Sequence, residues 1–306
     1  QHPVAAQGGR ARRVVGGRHV GAGGVRERRE QAVDVIHARS RAPAWSAWLA
    51  CKITGTPFVT TFHGTYGLQN GFKKFYNSVM VKGSRVIAIS KFIANHVQQN
   101  YGVHKTKIVT VHRGYDPLVF DPKKIKAEDV EALWEEWNVP ARTPVILLPG
   151  RLTEWKGQSF FVAVLEGIEA DGLRLVCLGD AQGRAAYEQA LRVGAKGAGV
   201  ALSLPGHEAD MPAAYAAADL VVCPSLEPEA FGRTAAEALA MGREVVAAAH
   251  GGALEVIDPE VAGRLAAPGD HGAWRDAVAA ALGEDRALRE ARAEAGRSRI
   301  TSRFSA

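Results

Sequence analysis

Two glutamates eight positions apart belong to the segment of the chain with the strongest signal for ligand chemistry. Residues 224–237 have the sequence PSLEPEAFGRTAAE, with Glu229 in a loop and Glu237 inside a helix predicted to begin near Arg233. The N–H groups and dipole of a helix N-terminus favour an anion such as phosphate. A carboxylate can accept hydrogen bonds from two adjacent hydroxyls, as in a ribose diol or a sugar ring. The segment indicates a nucleotide-sugar cradle, although a helix cap with unrelated glutamates has the same pattern.

A second candidate site is the basic loop GRLTEWKG at 150–157, which directly follows the apolar run VILLP. Open α/β sheets bind ligands at the carboxyl ends of their strands, which is where the pattern places Arg151 and Lys156. A guanidinium and an ammonium there would clamp a diphosphate and offset charge on a departing nucleotide. The alternative is an ordinary basic pair on a surface loop.

His63 is the third candidate, because the sequence TTFHGT places it at the end of another apolar run. An imidazole at that position can hydrogen-bond a sugar hydroxyl or carbonyl at a cleft between domains. A single histidine is more often structural, so this interpretation depends on the other two segments.

The elements that would position these residues alternate along the chain. Short strand-like runs and helical patterns follow each other from residue 34, which predicts βαβ units and parallel sheets. Predicted strands cover 34–38, 57–62, 85–90, 107–111, 144–149, 173–178, 200–204, 219–223 and 244–248. We expect an irregular Gly- and Arg-rich segment at 1–33, helical near 25–33, a Rossmann-like domain at 34–125, a helix and linker at 126–143, and a second Rossmann-like domain at 144–306.

Charge is distributed very unevenly between the two halves. Residues 1–115 carry a net +15, with no Asp or Glu between 35 and 115, whereas residues 116–306 carry −9. This asymmetry indicates that the first half meets a polyanion, either nucleic acid or an anionic membrane, unless it is simply a solvated basic face.

Several classes of protein are disfavoured by the composition. The sequence has neither an apolar run of membrane-spanning length nor the apolar core of a secretory signal. Its three cysteines are far apart, which argues against a disulfide framework or a CxxC metal site and favours a reducing, cytoplasmic compartment.

Four ordered segments resemble glycosyltransferase family four, the retaining enzymes of the GT-B fold. The match runs from about residue 34 to 305. It is carried by GRLTEWKGQ, by PSLEPEAFGRTAAEALAMG, which is similar to the family's E-x7-E region, and by RVIAISKFIANHV and VHRGYDPLVFDP. A further match is the spacing from Glu208-Ala209-Asp210-Met211-Pro212 to Ala218-Asp219. The resemblance implies two Rossmann-like α/β domains whose parallel sheets face each other across a cleft.

The resemblance also implies roles for individual residues. Glu229 would contact the donor sugar, with His63 at the reacting face as the second catalytic residue. Glu237 would bind the ribose. The diphosphate would lie against Arg151 and Lys156, near Gly150 and the backbone of Ala230, Phe231 and Gly232. No DxD motif follows a predicted strand, so neither a metal nor another cofactor is expected.

The implied reaction transfers a sugar, with retention, from a UDP- or GDP-sugar to a polar or lipid-linked acceptor. Such a step belongs to the synthesis of a cell-envelope glycan, lipopolysaccharide or polysaccharide. Alternatives are an inactive donor-binding fragment, a GT-B nucleotide-sugar epimerase and a nucleic-acid binder. The last is disfavoured because Phe72, Phe75, Tyr76 and Phe92 follow the spacing of a helix core.

The sequence departs from the family pattern at both ends and at one internal position. The family begins with a strand and a Gly-rich loop that residues 1–33 do not resemble, and its last helix returns to the first domain where this chain stops. Position 244 is Glu, where the family usually has Pro. We therefore expect an intact donor half and an incomplete acceptor half.

A basic amphipathic helix is predicted at 70–81. Phe72, Phe75, Tyr76 and Val79 share one face, which Lys73 and Lys74 flank. This pattern is typical of a helix at a lipid surface, although the same face could pack on the domain's own sheet. We expect peripheral, salt-sensitive binding to the cytoplasmic face of the membrane, where a lipid-linked acceptor would be presented.

Overall fold

The computed structural model describes residues 33–68, 70–166, 168 and 172–305, together with the backbone of 14–16. The chain divides into two compact units, 1–112 and 113–306. The segment 126–143, which we expected to form a helix and linker, lies in the second unit.

The first unit contains a five-stranded parallel sheet whose strands neighbour each other in chain order. Its strands are β1 (Val14–Gly16), β2 (Val35–Ala38), β3 (Phe58–Phe62), β4 (Arg85–Ala88) and β5 (Ile108–Thr110). Among the residues of this unit that the structure describes, the helices are α1 (Arg41–Thr54), α2 (Gly71–Asn77) and α3 (Lys91–Tyr101). The sequence did not predict β1, and the helix expected near 25–33 lies outside the described residues except for Val33.

The helix predicted at 70–81 is shorter in the structure. Asn70 caps α2 by accepting a hydrogen bond from the Lys73 amide, and after Asn77 the chain continues as a 3-10 turn, Ser78–Val81. The Met80 carbonyl accepts from Thr60 Oγ1 at 2.5 Å. These contacts fix the last turn against β3 and favour the tighter 3-10 geometry over a continued α-helix.

The second unit contains a six-stranded parallel sheet in the order β11-β10-β9-β6-β7-β8. Its strands are β6 (Val145–Pro149), β7 (Arg174–Leu178), β8 (Ala201–Gly206), β9 (Leu220–Cys223), β10 (Glu244–Ala248) and β11 (Arg264–Ala266). The order reverses between β6 and β9, and such a switch point is where an open α/β sheet leaves a ligand crevice at its carboxyl edge. All nine predicted strands are confirmed within two residues.

The helices of this unit cover the sheet and bury an apolar core. They are α4 (Ala127–Glu136), α5 (Gln158–Leu165), α6 (Ala185–Gly197), α7 (Met211–Ala216), α8 (Arg233–Ala240), α9 (Ala253–Val256), α10 (His271–Gly283) and α11 (Arg286–Phe304). Phe161 and Trp274 are fully buried and meet edge to face, with ring centroids 5.9 Å apart. The Trp274 indole donates to the Ala267 carbonyl, which satisfies its buried polar group.

A buried charge cluster of Glu244, Arg264, Glu284 and Arg292 joins the start of β10 to β11 and α11. Glu244 Oε1 lies 3.1 Å from Arg264 Nε and 3.5 Å from Arg292 Nη2. Glu284 also binds Arg264, and its Oε1 lies 3.6 Å from Arg292 Nε. The glutamate at the position where the family usually has proline is therefore paired with two guanidiniums.

Within the described part of the chain, no helix is both long and apolar enough to cross a bilayer. All three cysteines are free thiols, as their spacing predicted.

Candidate active site

An ion pair between Lys156 and Glu229 lies at the switch point of the second sheet. Lys156 ends the 3-10 turn that follows β6, and Glu229 lies in the loop that follows β9. Lys156 Nζ is 2.7 Å from Glu229 Oε1. Ser225 Oγ donates to the same oxygen at 2.5 Å. The two strands flanking the crevice thus bring together two residues that are 73 positions apart in the sequence.

The pair is largely shielded from solvent, with side-chain exposures of 13% for Lys156 and 18% for Glu229. Burial alone would raise the pKa of Glu229. The Lys156 ammonium and the hydrogen bonds from Lys156 and Ser225 outweigh burial and hold the pKa of this carboxyl below its ordinary value. Glu229 is therefore ionised at neutral pH and can only accept hydrogen bonds.

The turn between β10 and α9 supports the loop that carries Glu229. The Gly252 amide donates to the Glu229 carbonyl at 2.8 Å, and His250 Nε2 donates to the Ser225 carbonyl at 2.9 Å. A Cβ at position 252 would lie 2.3 Å from the Phe231 Cα, so only glycine permits this approach. The backbone of the loop is therefore fixed by hydrogen bonds from the Gly252 amide and the His250 side chain.

The loop ends at the N-terminus of α8. Gly232 is the N-cap residue of the helix, with φ +87°. As a glycine it has no side chain that could accept hydrogen bonds from the first amides of the helix. Phe231 is buried, with its ring 5.4 Å from that of Phe304, whereas Ala230 remains partly exposed. The segment predicted to bind an anion therefore ends at a helix N-terminus without a side-chain cap, the kind of terminus that favours an anion.

Glu237 is the fifth residue of α8, and its carboxylate binds the side chains of Tyr215 and Arg233. The Tyr215 hydroxyl donates to Oε2 at 3.0 Å, and Arg233 Nε lies 2.9 Å from Oε1. Burial raises the pKa of Glu237, and Arg233 and the Tyr215 hydrogen bond offset only part of that effect. The Arg233 side chain is 63% exposed, so it can leave Oε1 when another donor arrives.

Gly150 and Arg151 occupy the turn after β6. A Cβ on Gly150 would lie 3.3 Å from the Lys156 methylenes, so this glycine lets the lysine side chain cross the turn. Arg151 is exposed and lines an open cleft beside the crevice. The structure therefore joins Lys156 directly to Glu229 but leaves the Arg151 guanidinium on the neighbouring rim.

His63 is in the first unit, whereas every other candidate is in the second. It directly follows β3 and is partly buried. Its backbone hydrogen-bonds the Tyr66 phenol, whose pKa is raised by burial in spite of that bond. The structure confirms the position of His63 at a strand end.

Three polar residues of the site were not singled out from the sequence: Tyr215, Ser225 and His250. Ser225 lies within the loop that was identified and His250 on the turn after β10, but neither residue type alone indicates a role in the site. Tyr215 lies 22 positions from the glutamate that it binds. Cys223, at the end of β9, has its pKa raised to about 12 by burial and by the nearby Glu229 carboxylate.

Two family models match this chain. The model for glycosyl transferases group 1 covers residues 143–284, and the model for glycosyltransferase family 4 covers residues 21–117.

Curated relatives agree with these models. The D-inositol 3-phosphate glycosyltransferase of Xylanimonas cellulosilytica is 32% identical over 294 residues, which is 90% of this chain and 70% of that protein. The enzyme of the same name from Segniliparus rotundus is 28% identical, over 83% of this chain and 60% of that protein.

Solved structures agree as well. A glycosyltransferase from Rickettsia africae superposes with a TM-score of 0.84 and 35% identity, over 92% of this chain and 75% of that one. Anabaena HepE in complex with UDP-glucose superposes with a TM-score of 0.82 and 26% identity, over 92% of this chain and 77% of that one. Motifs, sheet order and relatives agree: the chain belongs to glycosyltransferase family 4 and is a glycosyltransferase with the parallel α/β units of the GT-B fold.

Proposed function

We propose that this chain transfers a sugar, with retention of anomeric configuration, from a UDP-sugar to a hydroxyl of a polar or lipid-linked acceptor in cell-envelope glycan synthesis. The observation that carries the proposal is the Lys156–Glu229 pair at the β6/β9 switch point. Anabaena HepE binds UDP and UDP-glucose, which supports uracil as the base of the donor nucleotide.

The proposal gives each group of the site a task. Lys156 and Arg151 hold the diphosphate, together with the amides at the start of α8. The hydrogen bonds from the Lys156 and Ser225 side chains both go to Glu229 Oε1, so Oε2 is the carboxylate oxygen that accepts from the donor sugar. The two basic side chains supply the positive charge that the leaving group needs, and we propose turnover without a metal ion.

The reaction exchanges one bond at the anomeric carbon for another. The bond from C1 to the diphosphate oxygen breaks, and the acceptor oxygen forms the new bond on the same face of the ring. The acceptor proton passes to the departing diphosphate, which acts as the base. His63 is the proposed second catalytic residue, as the family resemblance implies. Lys156 stabilises the charge that develops on the diphosphate.

Glu237 is the proposed ribose ligand, and its substitution is the first test of this assignment. In Glu237→Gln the side chain keeps its shape but loses charge-assisted hydrogen bonds, each worth about 1.5–3 kcal/mol. We expect UDP affinity by calorimetry to fall about tenfold or more. Glu188→Gln, which changes a partly exposed glutamate on α6 far from Glu237 in the sequence, should bind UDP like the unmodified protein. Unchanged affinity in Glu237→Gln with an unchanged melting temperature would remove Glu237 from the ribose site.

Function itself is tested by binding and turnover on the same preparation. We expect UDP to bind more tightly than GDP or ADP, and UDP-glucose or a related UDP-sugar to release UDP only when an acceptor is present. EDTA should leave the rate unchanged. Tight UDP binding without turnover on a panel of acceptors would indicate a donor-binding fragment, and conversion of the UDP-sugar without acceptor, seen by NMR, would indicate an epimerase.

The membrane part of the proposal is supported by an aromatic–basic patch on α1 and α2 of the first unit. The Trp45 and Phe75 rings lie 5.4 Å apart, and the Trp45 indole donates to the Tyr76 carbonyl, so the two helices form one surface. Phe72 and Phe75 are 77% and 62% exposed, which argues against the alternative that they pack on the sheet. The prediction that these two rings belong to a helix core was therefore wrong, because α2 turns them towards solvent. The patch consists of Trp45, Trp48, Leu49, Ile53, Phe72, Phe75 and Tyr76 with the lysines 52, 73, 74 and 82.

Vesicle sedimentation tests this surface. We expect binding to anionic but not zwitterionic vesicles, and loss of binding in ~0.5 M salt, because salt shortens the Debye length. Phe72→Ser combined with Phe75→Ser should weaken binding about tenfold, since each ring buries apolar area in the interface. Leu118→Ser, at a similarly exposed position in the second unit, is the matched control. No sedimentation with anionic vesicles at low salt would refute membrane binding.

A further inference from the structure

An open cleft of about 970 Å³ lies beside the Lys156–Glu229 pair in the second unit. Three segments form its walls: the turn after β6, the N-terminal part of α6, and the loop after β9. Arg151 belongs to both the cleft and the proposed diphosphate site, and Glu227 is two residues from Glu229. Of the residues that line the cleft, only Arg151 is assigned to the proposed donor site.

The cleft has no excess of positive charge. Arg151 and Arg184 lie on its wall together with Glu154 and Glu227, and Arg151 is already assigned to the diphosphate. The remaining charges, Arg184 against Glu154 and Glu227, do not favour a phosphate, a nucleic acid or another polyanion. Directional donors and acceptors instead suit a neutral ligand with many hydroxyl groups.

Two aromatic rings of the cleft are held in place by polar contacts. The Lys156 ammonium lies 4.6 Å from the centroid of the Trp155 ring. The Tyr187 hydroxyl donates to the buried Gln158 side chain at 3.1 Å, and Gln158 donates at 2.9 Å to the Arg151 carbonyl. Rings that are fixed before a ligand arrives lower the entropy cost of binding. Flat apolar rings next to hydrogen-bonding side chains are a surface on which a sugar can stack.

We propose that this cleft binds a neutral oligosaccharide, which is the glycan part of the acceptor. The inference rests on the proposed function, because only a sugar transfer reaction gives such a ligand a place next to the donor. It adds a second carbohydrate subsite, built from Trp155, Arg184, Tyr187 and Glu227, on the unit that holds the donor.

The test is ligand-observed NMR with maltotriose, cellotriose and triacetylchitotriose as probes. We expect at least one of them to bind with a dissociation constant of ~10 mM or below. In Ala190→Trp an indole fills the cleft from an exposed position of α6, so affinity should fall at least about tenfold. Val193→Trp, at an exposed position on the same helix outside the cleft, should bind like the unmodified protein. Arg184→Ala removes a hydrogen-bonding wall residue and should also weaken binding, which covers the case that Ala190→Trp does not fold.

UDP affinity separates this proposal from the proposed function. Ala190→Trp should bind UDP unchanged, because it alters no residue of the donor site. Absence of binding by all three probes, or equal binding by Ala190→Trp and Val193→Trp, would overturn the subsite while UDP binding and turnover remain. Failure of the unmodified protein to bind UDP would overturn the proposed function instead.

Discussion

Lys156→Met should lower kcat/KM for sugar transfer by about 10²–10³-fold. The substitution keeps the length of the side chain and removes one preorganised positive charge from the departing diphosphate, a loss of the size known for a single transition-state donor. Affinity for UDP should fall much more than affinity for uridine, because the lost charge faced the phosphates. Arg151→Met should also weaken UDP binding more than uridine binding, but by a smaller factor, since the Arg151 guanidinium is exposed.

The same substitution leaves Glu229 as a buried carboxylate without its counter-ion. Removing one partner of a fully buried ion pair lowers the free energy of unfolding by ~3–5 kcal/mol. We expect a loss of about 2 kcal/mol here, because both side chains are partly exposed. Without Lys156, burial should raise the pKa of Glu229 above its ordinary value. A raised pKa in the folded state gives stability that is lost as pH rises, so the deficit should be larger at pH 8 than at pH 5.

Two further variants make the result interpretable. In Lys156→Met with Glu229→Gln, stability should recover because no unpaired charge remains, while transfer stays slow. Lys196→Met, at an exposed position on α6, should match the unmodified protein in both rate and stability. A fall of less than about threefold in the Lys156→Met rate would contradict the diphosphate assignment.

Arg292→Met should be the most destabilising change outside the site, with a loss of about 3 kcal/mol and a melting temperature lower by roughly 8 °C. Its guanidinium pairs with Glu244 and Glu284 and donates to the Gly263 carbonyl at 3.0 Å. Removal leaves two buried carboxylates to share Arg264. Thermal and urea unfolding measure the loss.

The pH dependence of this loss has a definite sign. Burial already raises the pKa of Glu244, and Arg292 and Arg264 offset part of that effect. Without Arg292 the pKa should rise further, so the variant should regain stability as pH falls from 8 towards 5. Arg286→Met removes the exposed partner of Glu290 on the same helix and should leave the melting temperature unchanged. Equal decreases in melting temperature for Arg292→Met and Arg286→Met would show that the charge cluster stabilises the fold no more than an exposed ion pair does.

The sequence predicted the sheets of this protein well because strand periodicity and strand ends are local signals. The runs before Gly150 and Pro224 identified β6 and β9, and with them the edge where a ligand binds. Local patterns also identified the two charged residues of the central pair, although not that they touch each other.

Contacts between distant segments could not be predicted in the same way. The Tyr215–Glu237 bond depends on how α7 packs against α8, and Gly252 supports Phe231 through a backbone approach that no spacing reveals. The prediction at 70–81 was wrong in its last turn for a similar reason, because a hydrogen bond from Thr60 on β3 shapes that turn. Tertiary packing decides such details over local propensity.

The free thiols of this chain make it a convenient template for spectroscopic labels. Burial raises the pKa of Cys51 to about 11 and that of Cys223 to about 12, and it also raises the pKa of Cys177. Because the thiolate is the reactive form, all three should react slowly with maleimide or iodoacetamide at neutral pH. A cysteine introduced at an exposed position such as Ala190 would then take a fluorophore selectively, without prior removal of the native cysteines.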